Sequence, residues 1–206
     1  MFYIEVVGLD GAGKSKLCRS LIYKLGDQAR LLHVPSKNML TTPVVRHVSR
    51  ESVSPDTRLL TYMAGYSDAY DKLVCQSDPF KYLIGDRGYA CFYAYQFECS
   101  AENIDALWSF AMRGIFPDLL VFLDTPVSKC RSRVSGRRNP SEVDKRSKSF
   151  YKSVRKRYLS FCASYRRRGQ VLILDGKRHR NIQIRKVLQA IKRLSHSSDD
   201  TFQNEQ

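Results

Sequence analysis

The chain has 206 residues, enough for one α/β domain with a full core but few for two. Its hydrophobic content of 43% is ordinary for a globular protein, no apolar run has the length of a membrane span, and the N-terminus lacks the pattern of a signal peptide. We therefore expect a cytoplasmic protein with no membrane partner. Its six scattered cysteines form no C-x-x-C pair, which speaks against a zinc site and for reduced thiols.

The net charge of +15 is unevenly distributed. Residues 129–193 contain 22 lysines and arginines and three acidic residues, a net charge of +19, whereas the rest of the chain carries −4. Such a basic third is typical of a lid over nucleotide phosphates, of a nucleic-acid surface or of a solvated face. Because a lid needs only a few arginines, the excess points to a polyanionic partner such as nucleic acid.

The first element is a short apolar run over residues 2–7, which predicts a buried strand. It leads into the pattern G-x-x-x-x-G-K-[ST], and a helical pattern that ends at Gly26 follows. In this motif the glycines turn backbone N–H groups toward a phosphate chain, the lysine reaches the outer phosphates and the hydroxyl holds Mg²⁺. We predict a nucleoside triphosphate site formed by Gly8, Leu9, Asp10, Gly11, Ala12, Gly13, Lys14, Ser15 and Lys16, with Ser15 as a metal ligand.

Further predicted strands alternate with predicted helices along the chain. Strands are predicted at residues 30–34, 81–85, 117–124 and 170–174, each followed by at least one helical pattern, and residues 36–54 read as loop and short helix. Ser54 and Pro55 mark one helix start, and that helix carries a stripe that includes Tyr62, a candidate for core packing or for stacking on a base. Alternation of this kind predicts an α/β three-layer sandwich with a five-stranded parallel sheet.

Two further segments have the composition of functional sites. The strand at residues 81–85 ends in Asp86 and Arg87, and the carboxyl ends of parallel strands face the crevice where such folds bind ligands. A polar, arginine-rich stretch at residues 131–145 predicts a mobile lid. We expect a single domain over residues 1–194 and a disordered polar tail over residues 195–206.

Several of these pieces resemble the thymidylate kinase family, and they occur in the family's order across most of the chain. The phosphate loop with its internal Asp10 resembles the family's loop. The sequence Asp86-Arg87, followed by Ala94-Tyr95-Gln96, is similar to the family's D-R-[YH]…A-[YF]-Q element. Residues 117–124 resemble its P-D-L-x-x-x-L-D strand, and Arg131, Arg137 and Arg138 resemble its basic lid.

The resemblance implies a P-loop NTPase fold of the nucleotide kinase type, with ATP and Mg²⁺ as cofactors. It implies that Lys14 and Ser15-bound Mg²⁺ hold the donor phosphates, that Arg131 joins the donor site, and that Arg87 holds the acceptor phosphate. Asp10 and Asp86 would orient the sugar and metal-bound water, and Arg137 or Arg138 would close over the transferring group. The residues assigned to the acceptor nucleotide are Arg87, Tyr95, Gln96 and Tyr62.

The chain also departs from the family's pattern, mainly in the acceptor half. Val7 stands where the family's pattern has a glutamate, and Cys91 stands where it has a serine. Thr61 stands where the pattern has a phenylalanine, and Gly65 where it has an arginine. The leading hypothesis is thus an ATP-dependent kinase of a thymidylate-like nucleotide. Alternatives are a kinase of a modified or DNA-embedded pyrimidine, such as a hydroxymethyl pyrimidine in DNA, a deoxynucleoside kinase, and an inactive nucleotide-binding module. A homodimer is compatible with the sequence, which does not determine the oligomeric state.

Overall fold

The computed structural model describes residues 1–37, 39–49, 51–75, 78–137 and 143–203, with side chains as far as residue 195. Its strands are β1 Phe2–Val7, β2 Ala29–Leu32, β3 Tyr82–Asp86, β4 Leu119–Asp124 and β5 Gln170–Asp175. Its helices are α1 Lys14–Leu25, α2 Thr42–Val48, α3 Pro55–Tyr70, α4 Tyr89–Tyr95, α5 Ala101–Ala111, α6 Val127–Ser135, α7 Lys148–Tyr165 and α8 Arg180–Gln203. A 3-10 turn, Gly26–Gln28, follows α1, and a π-helical turn, Asp71–Cys75, follows α3.

The five strands form one parallel sheet in the order β2-β3-β1-β4-β5. Helices cover both of its faces: α1 packs against α8, and α7 packs against α4. The predicted α/β three-layer sandwich of the P-loop kinase type is confirmed. Strand β1 lies between β3 and β4, with Val6 beside Asp86 and Val7 beside Phe122. The loop after β1 and the residues after β3 therefore leave the same edge of the sheet.

The core forms where the apolar patterns predict it. In α1 the side chains of Leu17, Cys18 and Leu21 are fully buried, and the helix ends at Gly26 with a φ of 59°. Ser54 caps α3, because its hydroxyl accepts the N–H of Thr57 at 3.1 Å. These features define where α1 ends and where α3 begins.

Some boundaries differ from the sequence-based prediction. The second strand is shorter, Ala29–Leu32, and the segment before α3 contains one short helix, α2. Helix α8 runs to Gln203, so it includes the first nine residues of the segment predicted as a tail, while residues 204–206 lie outside the described part. Of the helices described, none combines the length and apolar character needed to cross a membrane.

Candidate active site

The phosphate loop follows β1 and packs tightly against the elements beside it. Gly8 has a φ of 146°, and a Cβ there would lie 2.7 Å from the Leu123 carbonyl oxygen at the end of β4. Gly11 has a φ of 82°, and a Cβ there would overlap the backbone of Cys130 in α6. Only glycine fits both the left-handed backbone and the available space. The loop is thereby wrapped around the N-terminus of α1, where Ser15 and Lys16 are exposed.

Lys14 lies at the start of α1 and is only 5% exposed. Its ammonium donates to the carbonyl oxygens of Gly8 and Leu9, each at 2.9 Å, and its Nζ lies 3.9 Å from Oδ1 of Asp10. Burial, together with the nearby Arg87, lowers the pKa of Lys14. The ammonium is thus held inside the loop that would surround a phosphate chain.

Asp10 connects the phosphate loop to the residues after β3. Its Oδ1 accepts a short hydrogen bond from the guanidinium of Arg87, and its Oδ2 accepts one from the Tyr95 hydroxyl at 3.1 Å. Burial alone would raise the pKa of Asp10, but the charges of Arg87 and Lys14 outweigh it and lower the pKa to about 2. Asp10 is therefore an anion at every physiological pH, and it brings three predicted site residues together.

The backbone of Arg87 is strained. Its φ is 77°, a left-handed value that non-glycine residues seldom adopt. Its guanidinium donates to Asp10 and lies 5.9 Å from the centre of the Tyr95 ring. Such strained positions cluster at ligand-binding sites, which agrees with the acceptor role predicted for Arg87.

Asp86 ends β3 and is 4% exposed. Its Oδ1 is buried and has no hydrogen-bond partner among the described residues, and its Oδ2 lies 3.7 Å from Nδ1 of His33. An unpaired buried carboxylate oxygen at the ligand edge of a sheet fits the chemistry of a magnesium ligand. Within the described ranges no cluster of three or more His, Cys, Asp and Glu side chains could hold a metal. Mg²⁺ is usually bound by one or two protein oxygens, and phosphate oxygens and water complete its coordination. Asp86 and Ser15 could supply the protein oxygens of such a site.

Two arginines that the sequence did not single out as donor-site residues contact the phosphate loop. Arg133 of α6 donates to the carbonyl oxygens of Gly11 at 2.9 Å and of Ala12 at 3.3 Å. Arg180, the first residue of α8, donates to the Gly13 carbonyl at 3.1 Å. The predicted donor residue Arg131 is exposed on α6 and has no described contact with the loop. Its role stays a prediction, and a spacing of two residues along a helix explains why Arg133 and Arg131 face different ways.

The lid arginines are only partly described. Arg137 donates to both carboxylate oxygens of Asp144, at 3.0 and 2.9 Å, and the Asp144 side chain is 1% exposed. Arg137 is therefore paired with a carboxylate of the predicted lid itself, and among the described residues it makes no hydrogen bond to the phosphate loop. Arg138 lies outside the described residues, and its role stays a prediction.

A cavity of about 1610 Å³ opens beside Asp10 and Arg87. It is lined by three of the predicted acceptor residues, Tyr62, Tyr95 and Gln96, and by Cys91, whose sulfur lies 3.1 Å from the Tyr158 hydroxyl. The ring of Tyr62 meets that of Phe92 edge to face at 6.3 Å. The cavity thus has a charged inner end next to the phosphate loop and an aromatic wall from α3 and α4.

Comparisons with known proteins place the chain in a family. The family model for thymidylate kinase matches residues 6–187. The chain belongs to the thymidylate kinase family. It is similar to the thymidylate kinases of Leuconostoc mesenteroides, 28% identical over 82% of this chain and 86% of that one, and of Idiomarina loihiensis, 26% identical over 92% and 96%. It is also similar to a probable thymidylate kinase of Thermococcus gammatolerans, 29% identical over 79% and 84% of the two chains.

Membership makes the protein a nucleotide kinase, a transferase. The thymidylate kinase resemblance noted from the sequence is confirmed over most of the chain. The residue-by-residue roles remain predictions that rest on the contacts described above, and two of the departures from the family's pattern have a physical explanation in the packing.

The first departure is a carboxylate that sequence analysis missed. Val7 stands where the thymidylate kinase pattern has glutamate, but Glu5 lies on the same face of β1, two residues earlier, and is fully buried. Glu5 accepts the N–H groups of Tyr89 at 2.8 Å and Ala90 at 2.9 Å, at the start of α4. Burial raises the pKa of Glu5 to about 7, although these bonds oppose the shift. Glu5 thus anchors the helix that carries Tyr95, and its place inside an apolar run gave no signal in the sequence.

The second departure is at Gly65 of α3, where the thymidylate kinase pattern has arginine. A Cβ at this position would lie 2.7 Å from Cγ1 of Val34 and 3.3 Å from Cγ2 of Val45, so no longer side chain fits. Arg58 and Tyr62 occupy the same face of α3 one to two turns earlier, and both line the cavity. The cationic and aromatic groups that α3 offers to the acceptor cavity are therefore displaced along the helix.

Proposed function

We propose that the protein transfers the γ-phosphoryl group of ATP, with Mg²⁺, to the phosphate of a thymidylate-like nucleotide. The observation that carries this proposal is the junction at Asp10. Asp10 belongs to the phosphate loop, and it is bonded to Arg87 and Tyr95 at the inner end of the cavity. A donor held by the loop and an acceptor held in the cavity would meet at this residue. The thymidylate kinases to which the chain is similar support thymidylate as the acceptor.

The donor site is formed by the phosphate loop. Its backbone N–H groups and the N-terminus of α1 favour anionic phosphates, and Lys14 supplies a full positive charge from within the loop. To reach the phosphates, the Lys14 ammonium must exchange its carbonyl partners for phosphate oxygens. Ser15 and Asp86 would hold Mg²⁺, which when bound neutralises charge on the donor phosphates. Arg133 and Arg180 support the loop from outside.

The acceptor site begins at Arg87. Its guanidinium, presented on strained backbone, can form two parallel hydrogen bonds with the acceptor phosphate. Asp10 keeps that guanidinium in place and would accept a hydrogen bond from the sugar. Tyr62 and Phe92 offer rings beside the base, and Gln96 offers an amide that can bind its polar edge.

Transfer itself needs alignment and charge neutralisation more than covalent chemistry by the protein. An oxygen of the acceptor phosphate forms a bond to the γ-phosphorus, and the bond to the oxygen that leaves with ADP breaks. Lys14 and Arg87 neutralise charge on the two sides of the transferred group. For Arg137 to add its charge it must first leave Asp144, which makes it a candidate for lid closure.

A panel of acceptors tests this function. Purified protein, ATP and Mg²⁺ are mixed with thymidylate, deoxyuridylate, deoxycytidylate, thymidine or no acceptor, and ADP formation is followed. We expect turnover that depends on thymidylate and a much slower reaction with thymidine, because Arg87 would lack a phosphate to bind. Turnover with thymidine alone would favour a deoxynucleoside kinase. ATP binding without turnover on any acceptor would favour a nucleotide-binding module.

A further inference from the structure

The acceptor cavity is larger and more basic than a mononucleotide requires. Its volume of about 1610 Å³ exceeds the range of roughly 300–1,000 Å³ that is usual for small-molecule sites. Arg87 stands at its inner end, and four more arginines line it: Arg46, Arg58, Arg146 and Arg157. We call these four the rim arginines. A monophosphate beside Arg87, even with Arg58 in place of the arginine missing at Gly65, leaves the charges of Arg46, Arg146 and Arg157 unexplained.

The rim arginines lack carboxylate partners within the described part of the chain. Arg58 donates to the backbone oxygen of Glu51 at 3.1 Å, and Arg157 donates to that of Ala94 at 3.3 Å. Several arginines elsewhere on the protein are paired with acids, as Arg155 is with Asp124 at 2.6 Å, whereas others, such as Arg30 and Arg133, donate only to backbone oxygens among the described residues. Four uncompensated positive charges around one opening attract a polyanion, because their potentials add.

Two of the rim arginines lie on aromatic rings that also line the cavity. The guanidinium carbon of Arg157 is 3.4 Å from the centre of the Phe97 ring, and that of Arg146 is 5.7 Å from the centre of Phe150. Phe97 remains 50% exposed although the Arg157 guanidinium lies on its ring. Rings and guanidinium groups interleaved along a basic groove are the surfaces on which single-stranded nucleic acid stacks its bases.

The rim is formed by distant segments of the chain. Arg46 lies on α2, Arg58 on α3, Arg146 just before α7 and Arg157 within α7. The four arginines thus approach the opening from both halves of the sequence, and two of them come from the basic third that the sequence analysis noted. A solvated helix face would place its charges on one element and would have no reason to line a cavity with them.

We propose that the rim arginines bind the phosphodiester backbone of a single-stranded polynucleotide, one nucleotide of which enters the acceptor cavity. The proposal rests on the proposed function, because it takes the cavity beside Asp10 and Arg87 as the acceptor site. The phosphates that flank the inserted nucleotide contact the rim arginines, and neighbouring bases stack on Phe97 and Phe150. The recognised chemistry is a row of phosphodiesters on either a deoxyribose or a ribose strand.

Fluorescence anisotropy of a labelled (dT)8 strand at several salt concentrations tests the proposal. Each phosphate neutralised on a single strand contributes roughly 0.7 to the slope of log affinity against log salt. We expect a slope of roughly −2.8 for four contacts, and displacement of the strand by excess thymidylate. The double variant Arg46→Ala/Arg58→Ala should reduce the slope by about half. A labelled (rU)8 strand tells which sugar the site prefers, and binding by either polymer with this slope supports the proposal.

The matched control is Arg166→Ala/Arg185→Ala, which removes two exposed arginines that do not line the cavity. It should bind (dT)8 with the wild-type slope. An equal loss in rim and control variants, a flat slope, or a strand that thymidylate does not displace would each overturn the proposal. Thymidylate turnover measured on the same preparation keeps the two conclusions apart: normal turnover without strand binding refutes only this inference, and no turnover on any acceptor refutes the proposed function.

Discussion

The guanidinium of Arg87 is hydrogen-bonded to the Asp10 carboxylate, which joins the loop that precedes α1 to the residue that follows β3. This ion pair lies at the inner end of the cavity, where Tyr95 also donates to Asp10 at 3.1 Å. The pair keeps the Arg87 guanidinium at the proposed acceptor site, while Lys14 lies in the proposed donor site. Substitution of Arg87 should therefore affect the acceptor and not ATP.

Arg87→Ala should weaken binding of the acceptor and leave binding of ATP unchanged. A hydrogen bond to a charged group contributes on the order of 1.5–3 kcal/mol, so we expect the KM for the acceptor to rise roughly 10- to 100-fold. The dissociation constant of ATP should change little. Steady-state kinetics with each substrate varied in turn make the comparison, and Arg113→Ala, which removes an exposed arginine paired with Asp71, is the control. A fall in ATP affinity with normal acceptor kinetics would show that the two sides are assigned the wrong way round.

Much of the fold could be predicted from this sequence because its signals are local. The strand-to-helix alternation, the glycine pattern of the loop, the stop at Gly26 and the cap at Ser54 each depend on neighbouring residues, and the structure has all of them. The positions of Asp10 and Arg87 at one sheet edge also followed, since adjacent parallel strands end together.

What could not be predicted depends on contacts between distant segments. Glu5 sits in an apolar run and meets the start of α4, 84 residues later. Gly65 is closed off by Val34 and Val45, which no spacing within α3 reveals. Arg133 rather than Arg131 contacts the loop because of the orientation of α6, which packs against α7 and against Gly11 of the loop.

Glu5 makes stability depend on pH. Its pKa is about 7 in the folded protein and about 4.5 when unfolded, so the unfolded chain releases its proton first. The stabilisation from Glu5 is fully present below pH 4.5 and is lost as pH rises through 7, by about 3 kcal/mol in all. Glu5→Gln removes this titration. The free energy of unfolding of wild type relative to Glu5→Gln, from urea denaturation between pH 5 and pH 8, should therefore decrease as pH rises. A constant or increasing difference would contradict the raised pKa.

Arg133→Ala should weaken ATP binding. Its guanidinium holds the carbonyl oxygens of Gly11 and Ala12, so its loss should loosen the loop and raise the dissociation constant of ATP several-fold, since a net hydrogen bond contributes about 1 kcal/mol. Arg131→Ala, on the same helix, is the matched control and should bind ATP as wild type does. Titration calorimetry measures the dissociation constant of ATP for both variants. A larger effect from Arg131→Ala would favour the sequence-based assignment over the one argued from the contacts.

The central claim is that phosphoryl transfer to a nucleotide occurs at the loop that contains Lys14. The most direct test is the rate of thymidine diphosphate formation from thymidylate and ATP, measured for wild type and Lys14→Ala with folding checked by circular dichroism. Lys14 supplies charge to the transferring group, and loss of such a donor typically costs on the order of 100- to 1,000-fold in rate. We predict a loss of that size or more in a variant that remains folded. A folded Lys14→Ala protein that forms thymidine diphosphate at the wild-type rate would contradict the claim.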